Sequence, residues 1–217
     1  MLSSESVIFL VLSYCIGSLS FAVWVGKIFY KKDIREYGSG NAGATNTFRV
    51  LGKKAGSTVL FLDTFKGWVS VNLIYFLGDG FNPFLDSASP EQFEMQLSFG
   101  VAAVIGHLLP IYTGFRGGKG IATLLGFMIG VQPIPAIICL LIFLVCFFIF
   151  RYVSLSSIIA SISFPIVVIS LQGYTQVHSS LLIFSIFVPI LALITHQKNI
   201  ERLIRGEENK AKFGKNK

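Results

Sequence analysis

Three segments of this chain carry residue types suited to holding anions. The first reads Gly38-Ser39-Gly40-Asn41-Ala42-Gly43-Ala44-Thr45-Asn46, followed by Arg49 and Gly52. Its glycines let the backbone approach a ligand closely, and Ser39, Asn41, Thr45 and Asn46 add uncharged polar groups. The second runs from Gly106-His107 through Pro110 to Phe115-Arg116-Gly117-Gly118-Lys119-Gly120, then Ala122-Thr123. Gly117, Gly118 and Gly120 surround Lys119 and open into an apolar helix, where backbone N–H groups and the positive helix end meet an anion that Lys119 neutralises. The spacing differs from the GxxxxGK[ST] of nucleotide-binding loops. The third spans His196, Asn199, Arg202, Gly206 and Glu208.

Each segment has a plainer reading. Gly-rich stretches between helices are often only turns, and Lys31, Lys32, Lys53 and Lys54 read as anchors at the inner ends of spans. Arg202 and Arg205 would also suit a solvated interfacial helix. A single histidine such as His107 is more often a packed polar residue than a catalyst. Asp63 and Lys66 lie one helical turn apart inside an apolar run, so they either pair structurally or mark function. His196 and Glu201 are five apart, about 140° around a helix, and so do not form a facing acid–base pair.

The elements that position these segments are membrane helices. Of 217 residues, 53% are hydrophobic and only 13% charged, roughly half the charge of an ordinary soluble chain. Apolar stretches of spanning length occur at Ser6–Phe29, Ala55–Gly78, Phe93–Tyr112, Val153–Leu171 and Ser179–Thr195, against about 20 residues for a crossing. The stretch 121–150 is interrupted by Gln132-Pro133-Ile134-Pro135, which ends a helix more readily than it kinks one. Two short spans there give seven in all and put every Lys/Arg cluster on one side. The loops around Gly78–Gln92, Val131–Pro135 and Gln172–His178, which hold no Lys or Arg, then face the other way. The positive-inside rule therefore predicts an all-α integral membrane protein of about seven transmembrane helices, N-terminus outside and C-terminus inside, with polar inner-face loops that make the candidate site. The first run is an uncleaved span, because Glu5 precedes it and the bases follow it.

The chain reads as a single polytopic domain, residues 1–217, with a basic tail expected to fray from about Lys210. The net charge of +7 is clumped between long apolar runs, which is not the pattern of a nucleic-acid binder. Cys15, Cys139 and Cys146 lie within apolar runs and read as small hydrophobes. The three scattered histidines make no metal motif, and no cofactor is expected.

The three polar segments closely resemble the signature motifs of the acyl-phosphate:glycerol-3-phosphate acyltransferase (PlsY) family, GSGNxGATNxxR, GHxxPxxxxFxGGKGxAT and HxxNIxRLxxGxE. Every fixed position is present, at Gly38–Arg49, Gly106–Thr123 and His196–Glu208, and Asp63-x-x-Lys66-Gly67 fits as well. The resemblance implies an enzyme of the bacterial cytoplasmic membrane that acylates the 1-hydroxyl of glycerol 3-phosphate from acyl phosphate, giving lysophosphatidic acid and phosphate. Its implied partners are those two substrates, membrane lipid and the upstream enzyme that forms acyl phosphate. It implies that His196, Asn199 and Lys119 are catalytic. Ser39, Asn41, Asn46, Arg49, Lys66, His107, Gly117, Gly118, Gly120, Arg202 and Glu208 would bind or support substrate. The hydroxyl proton has two candidate acceptors, His196 and the substrate phosphate, whose second pKa is near ~6. The rival class is a transporter of a small phosphorylated anion. Such proteins place their sites near the midplane between inverted repeats, whereas this sequence has no repeats and predicts its polar motifs at one face.

Overall fold

The computed structural model describes residues 4–77, 89–174 and 177–211, and its regular structure there is entirely helical. Asp79, Asp86, Thr175, Gln176 and the last six residues lie outside the described residues, and so do most of the loop around Gly78–Gln92 and most of the basic tail. The chain divides into two compact units, Met1–Pro133 and Ile134–Lys217.

In the first unit, α1 (Ser4–Gly17) and α2 (Phe21–Tyr30) are bent by 44° at a short break. The sequence predicts one continuous span there. Gly17-Ser18-Leu19-Ser20 has weak helix formers, and the Ser18 hydroxyl bonds back to the Tyr14 carbonyl at 2.8 Å. The Leu19 carbonyl released by the break accepts a hydrogen bond from Lys66 Nζ at 2.8 Å. A short amphipathic α3 (Ala44–Leu51) leads through Gly52 into α4 (Lys53–Asn72), which continues as a 3-10 turn to Phe76. Then come α5 (Pro90–Leu108), started by a Ser89/Gln92 capping box, and α6 (Ile121–Val131).

These helices pack backbone to backbone, as membrane helices do where small residues replace a hydrophobic driving force. A Cβ on Gly67 of α4 would collide with the Thr123 carbonyl of α6, and one on Gly126 of α6 with the Thr64 carbonyl of α4. Gly17 of α1 lies equally tight on Ala103 of α5, and Gly106 of α5 on Tyr14 of α1. Four elements thereby meet closely enough to bury Asp63, Lys66, His107 and Thr123.

The second unit contains α7 (Pro133–Phe150, from Ile134 onward), α8 (Val153–Ser170), α9 (Ser179–Thr195) and α10 (Gln197–Ile204). On α7 only Pro135 and Ala136 are buried, so its Ile, Leu and Phe side chains form an outward apolar surface suited to lipid. On α8, Ser154, Ser157 and Ser161 make a buried small-residue stripe. The Ser157 and Ser161 hydroxyls donate to carbonyls one turn back in the same helix, which leaves no unsatisfied donor at that face. α10 leaves α9 at an angle of 64°.

Among the described residues, four helices are long and apolar enough to span: Lys53–Phe76, Pro90–Thr113, Pro133–Phe150 and Val153–Ser170. Six are reached if each bent pair counts as one span. The seven predicted from charge are not reached, and the shortfall lies in α6. Its 11 residues extend about 16 Å, half of a ~30 Å hydrocarbon core. The helix break itself falls where the prolines place it: α6 stops at Val131 and α7 starts on Pro133, the first-turn position proline tolerates.

Candidate active site

The first unit assembles two of the three motifs. Asn46 lies in the first turn of α3 and is buried, with both ends of its amide engaged. Its Nδ2 donates to the Ile34 and Tyr37 carbonyls, each at 3.0 Å, and its Oδ1 accepts the Ser39 N–H at 2.9 Å. This side chain therefore shapes the 34–39 turn that presents Ser39, which is exposed. Asn41 is half-buried beside Gly43, and Arg49 stands exposed on the outer face of α3.

The turn is strapped to the second motif. Arg35 forms a bidentate pair with Asp33, and its Nη1 donates to the Thr113 carbonyl at 2.8 Å, while the Thr113 hydroxyl meets Ser20 Oγ at 2.9 Å. The hydrogen-bonded Arg35 guanidinium, with help from Lys27, holds the Asp33 carboxyl well below the usual carboxylate range.

The 117–120 loop folds back onto the end of α5. The Gly118 N–H donates to the His107 carbonyl at 3.2 Å. A Cβ at Gly117 would strike the His107 and Leu108 carbonyls, and one at Gly118 would strike His107 Nε2 and the Ala42 carbonyl. Only glycine fits at both positions, and the Ala42 contact brings the first motif against the second. Gly120 has φ +79° and starts α6, its carbonyl taking the Leu124 N–H at 2.7 Å. Lys119, between these glycines, is half-buried.

Beneath the loop lies a buried polar cluster. Lys66 Nζ is 2.8 Å from Asp63 Oδ1 and from the Leu19 carbonyl, and sits 5.6 Å above the Phe21 ring. The Asp63 oxygen is in ion-pair contact with Lys66 but off the hydrogen-bonding direction. His107 Nδ1 lies 3.6 Å from the same oxygen and 3.1 Å from Thr123 Oγ1. Of the two readings the sequence left open for Asp63 and Lys66, the i,i+3 pair is present. Lys66 and His107 lie within the helix packing, whereas Ser39 and Arg49 are exposed.

The third motif belongs to the second unit. His196 is buried at the α9–α10 corner, with Nδ1 2.8 Å from the Ala192 carbonyl. A carbonyl only accepts, so this contact places a hydrogen on Nδ1. Glu208 organises the rest. Its Oε1 accepts from Asn199 Nδ2 at 2.8 Å and Ser154 Oγ at 3.0 Å, and its Oε2 from Arg202 Nε at 2.8 Å. Burial pushes the Glu208 carboxyl up, but the hydrogen bonds from Arg202, Asn199 and Ser154 together outweigh it and hold the pKa below its ordinary value. Glu201 is exposed and pairs with Arg205 at 2.7 Å, turned away from buried His196.

Asp63 and Ser154 are the residues that sequence reasoning left out of the site. Asp63 carried a signal, an acid inside a span, whereas Ser154 was one serine among many on an apolar helix. No group of three or more His, Cys, Asp or Glu among the described residues is placed to hold a metal ion.

Helices of membrane-spanning length, glycine loops with no room for a Cβ and a histidine–amide corner suit an integral membrane enzyme that handles phosphorylated substrates. The chain belongs to the glycerol-3-phosphate acyltransferase family, whose model matches residues 7–206. It is 46% identical over 207 residues to the glycerol-3-phosphate acyltransferase of Staphylococcus haemolyticus strain JCSC1435, covering 95% of this chain and 98% of that one. The Staphylococcus aureus strain Newman protein of the same name is 44% identical over the same coverage. Two crystal structures of PlsY (YgiH), an integral membrane glycerol 3-phosphate acyltransferase, resemble this fold at 33% identity, covering 96% of each chain. The TM-score is 0.82 for the glycerol 3-phosphate form and 0.79 for the lysophosphatidic acid form.

Proposed function

We propose that this chain transfers a fatty acyl group from acyl phosphate to the 1-hydroxyl of glycerol 3-phosphate, releasing lysophosphatidic acid and inorganic phosphate, the first step of phospholipid synthesis. The observation that carries this reading is the near-full-length likeness to PlsY in its glycerol 3-phosphate and lysophosphatidic acid forms, with all three motifs intact.

The chemistry fits the residues. Each substrate phosphate carries about −1.5 to −2 charge at neutral pH, and two of them must be held close together. The 117–120 loop with Lys119 takes the acyl phosphate. Ser39, Asn41 and Arg49 receive glycerol 3-phosphate, and Lys66, buried and ion-paired with Asp63, supports them. Asn46 and His107 act from behind the loops, shaping them. The glycerol oxygen attacks the acyl carbonyl carbon, the carbon–oxygen bond to phosphate breaks, and the bonding pair leaves on phosphate. The hydroxyl proton goes to the phosphate or to Nε2 of His196. Asn199 positions the reacting groups, and Glu208 holds Asn199 and Arg202 in place. Donors fixed in advance where charge develops lower the barrier without reorganisation.

The protein works as one catalytic domain in the bacterial cytoplasmic membrane, N-terminus outside and C-terminus cytoplasmic, with α6 counted as a seventh, short transmembrane segment. The Lys/Arg asymmetry supports this orientation. Membrane lipid surrounds α7, and the upstream enzyme that forms acyl phosphate supplies the donor. Purified protein in detergent, given acyl phosphate, is expected to release phosphate only when glycerol 3-phosphate is added. Phosphate release independent of glycerol 3-phosphate, or none at all, contradicts the proposal.

A further inference from the structure

We infer that Asp63 is a positioning residue for this reaction, fixing Lys66 and His107 against each other and so coupling the buried cation to the glycine loop. The inference rests on the acyltransferase reading and adds to it a residue outside all three motifs.

Asp63 is 1% exposed, inside α4. An ionisable side chain within a membrane helix is costly and is retained where it has work to do. Stability alone does not account for it, because a buried ion pair is commonly no more stabilising than an apolar pair of the same volume. One of its oxygens lies between two neighbours, 2.8 Å from Lys66 Nζ in an ion pair and 3.6 Å from His107 Nδ1, a contact longer than a hydrogen bond. Among the described residues, Lys66 also meets the Leu19 carbonyl and the Phe21 ring, both at the break in the first span. On its far side, His107 is in backbone and side-chain contact with Gly118: its carbonyl takes the Gly118 N–H, and its Nε2 leaves no room for a Cβ there. Any movement of the imidazole is therefore passed to the residue next to Lys119. Thr123, 3.1 Å from His107 Nδ1 and in the first turn of α6, restrains the same ring from the other end of the loop.

The test compares full-length protein carrying Asp63→Asn, Lys66→Met or both, each measured for thermal unfolding and for glycerol 3-phosphate-dependent turnover per folded molecule. Asp63→Asn is expected to lose about 100-fold in kcat/KM, the scale of a ~1 Å misplacement, with the KM for glycerol 3-phosphate raised at least tenfold. A merely structural role would lower the folded fraction and leave KM alone. The double variant, with no charge left to strand, should unfold near the wild-type temperature and stay as inactive as Asp63→Asn. Should Asp63→Asn fail to fold, Asp63→Glu keeps the charge but moves the carboxylate by one methylene, and is expected to lose at least tenfold. Wild-type kcat/KM in folded Asp63→Asn or Asp63→Glu, or turnover restored in the double variant, overturns the inference. An inactive wild type would instead refute the acyltransferase reading itself, and this inference with it.

Discussion

Replacing Gly118 with alanine isolates the loop's geometry from its charge. The added Cβ would lie 2.9 Å from the Ala42 carbonyl oxygen, against an ordinary contact of 3.4–4 Å, and closer still to His107 Nε2. Relief at Ala42 alone needs a shift of about half an ångström, and relief at the imidazole needs more, shared between ring and loop, so the loop must move by ~0.5–1 Å. Misplacement on that scale costs about 10- to 100-fold in rate, or ~1.4–2.7 kcal/mol of barrier. Lys119 is untouched, so no charge changes. The assay is glycerol 3-phosphate-dependent phosphate release per folded molecule in detergent. Gly173→Ala is the control, because a Cβ there meets nothing within 4 Å, and its turnover should stay within about twofold. Folded Gly118→Ala with turnover within threefold of wild type would show that the close fit on His107 does not set the loop's working geometry.

Three further outcomes are expected. Lys119→Ala should lose at least ~100-fold in kcat/KM, as removal of a preorganised electrostatic partner does. Lys53→Ala, exposed at the start of α4, should stay within about threefold, and similar losses in both would mean that Lys119 is only an anchor. Cysteine placed at Ser89 should react with an impermeant reagent from outside, and cysteine at Asn209 only after permeabilisation, whereas labelling of both from one side would refute the orientation. The folded-state pKa of Glu208 lies below its ordinary value of 4.5, so its contribution to stability is full above that value and lost as pH falls through the lower one. Glu208→Gln should accordingly flatten the acid limb of thermal stability, and an unchanged limb would remove Glu208 from the hub.

Local signals in the sequence are matched by the structure. Pro133 and Pro135 mark the break between α6 and α7 because proline acts on its own backbone and its neighbour's. Asp63 and Lys66 pair because three residues make one helical turn. Features that depend on residues far apart in sequence were hidden. The weak helix formers of Gly17–Ser20 permit a bend without fixing one, since the group that captures the freed Leu19 carbonyl is Lys66, 47 residues away. Asn46 offers an uncharged polar group in the sequence, but its bonds to Ile34, Tyr37 and Ser39, which shape the turn, follow no spacing rule. Ser154 reaches Glu208 across 54 residues, with no spacing rule to reveal it. The helix count missed for a related reason. Charge sidedness predicts how often a chain crosses, but it carries no information on whether an 11-residue helix is long enough to do so.

The most direct test of the account is donor and product identity in one reaction. Purified protein is given glycerol 3-phosphate with either acyl phosphate or the matching acyl-CoA, and lysophosphatidic acid and phosphate are quantified together. The account predicts one lysophosphatidic acid per phosphate from acyl phosphate and no turnover from acyl-CoA. Comparable rates from both donors, or phosphate without acylated product, would contradict it.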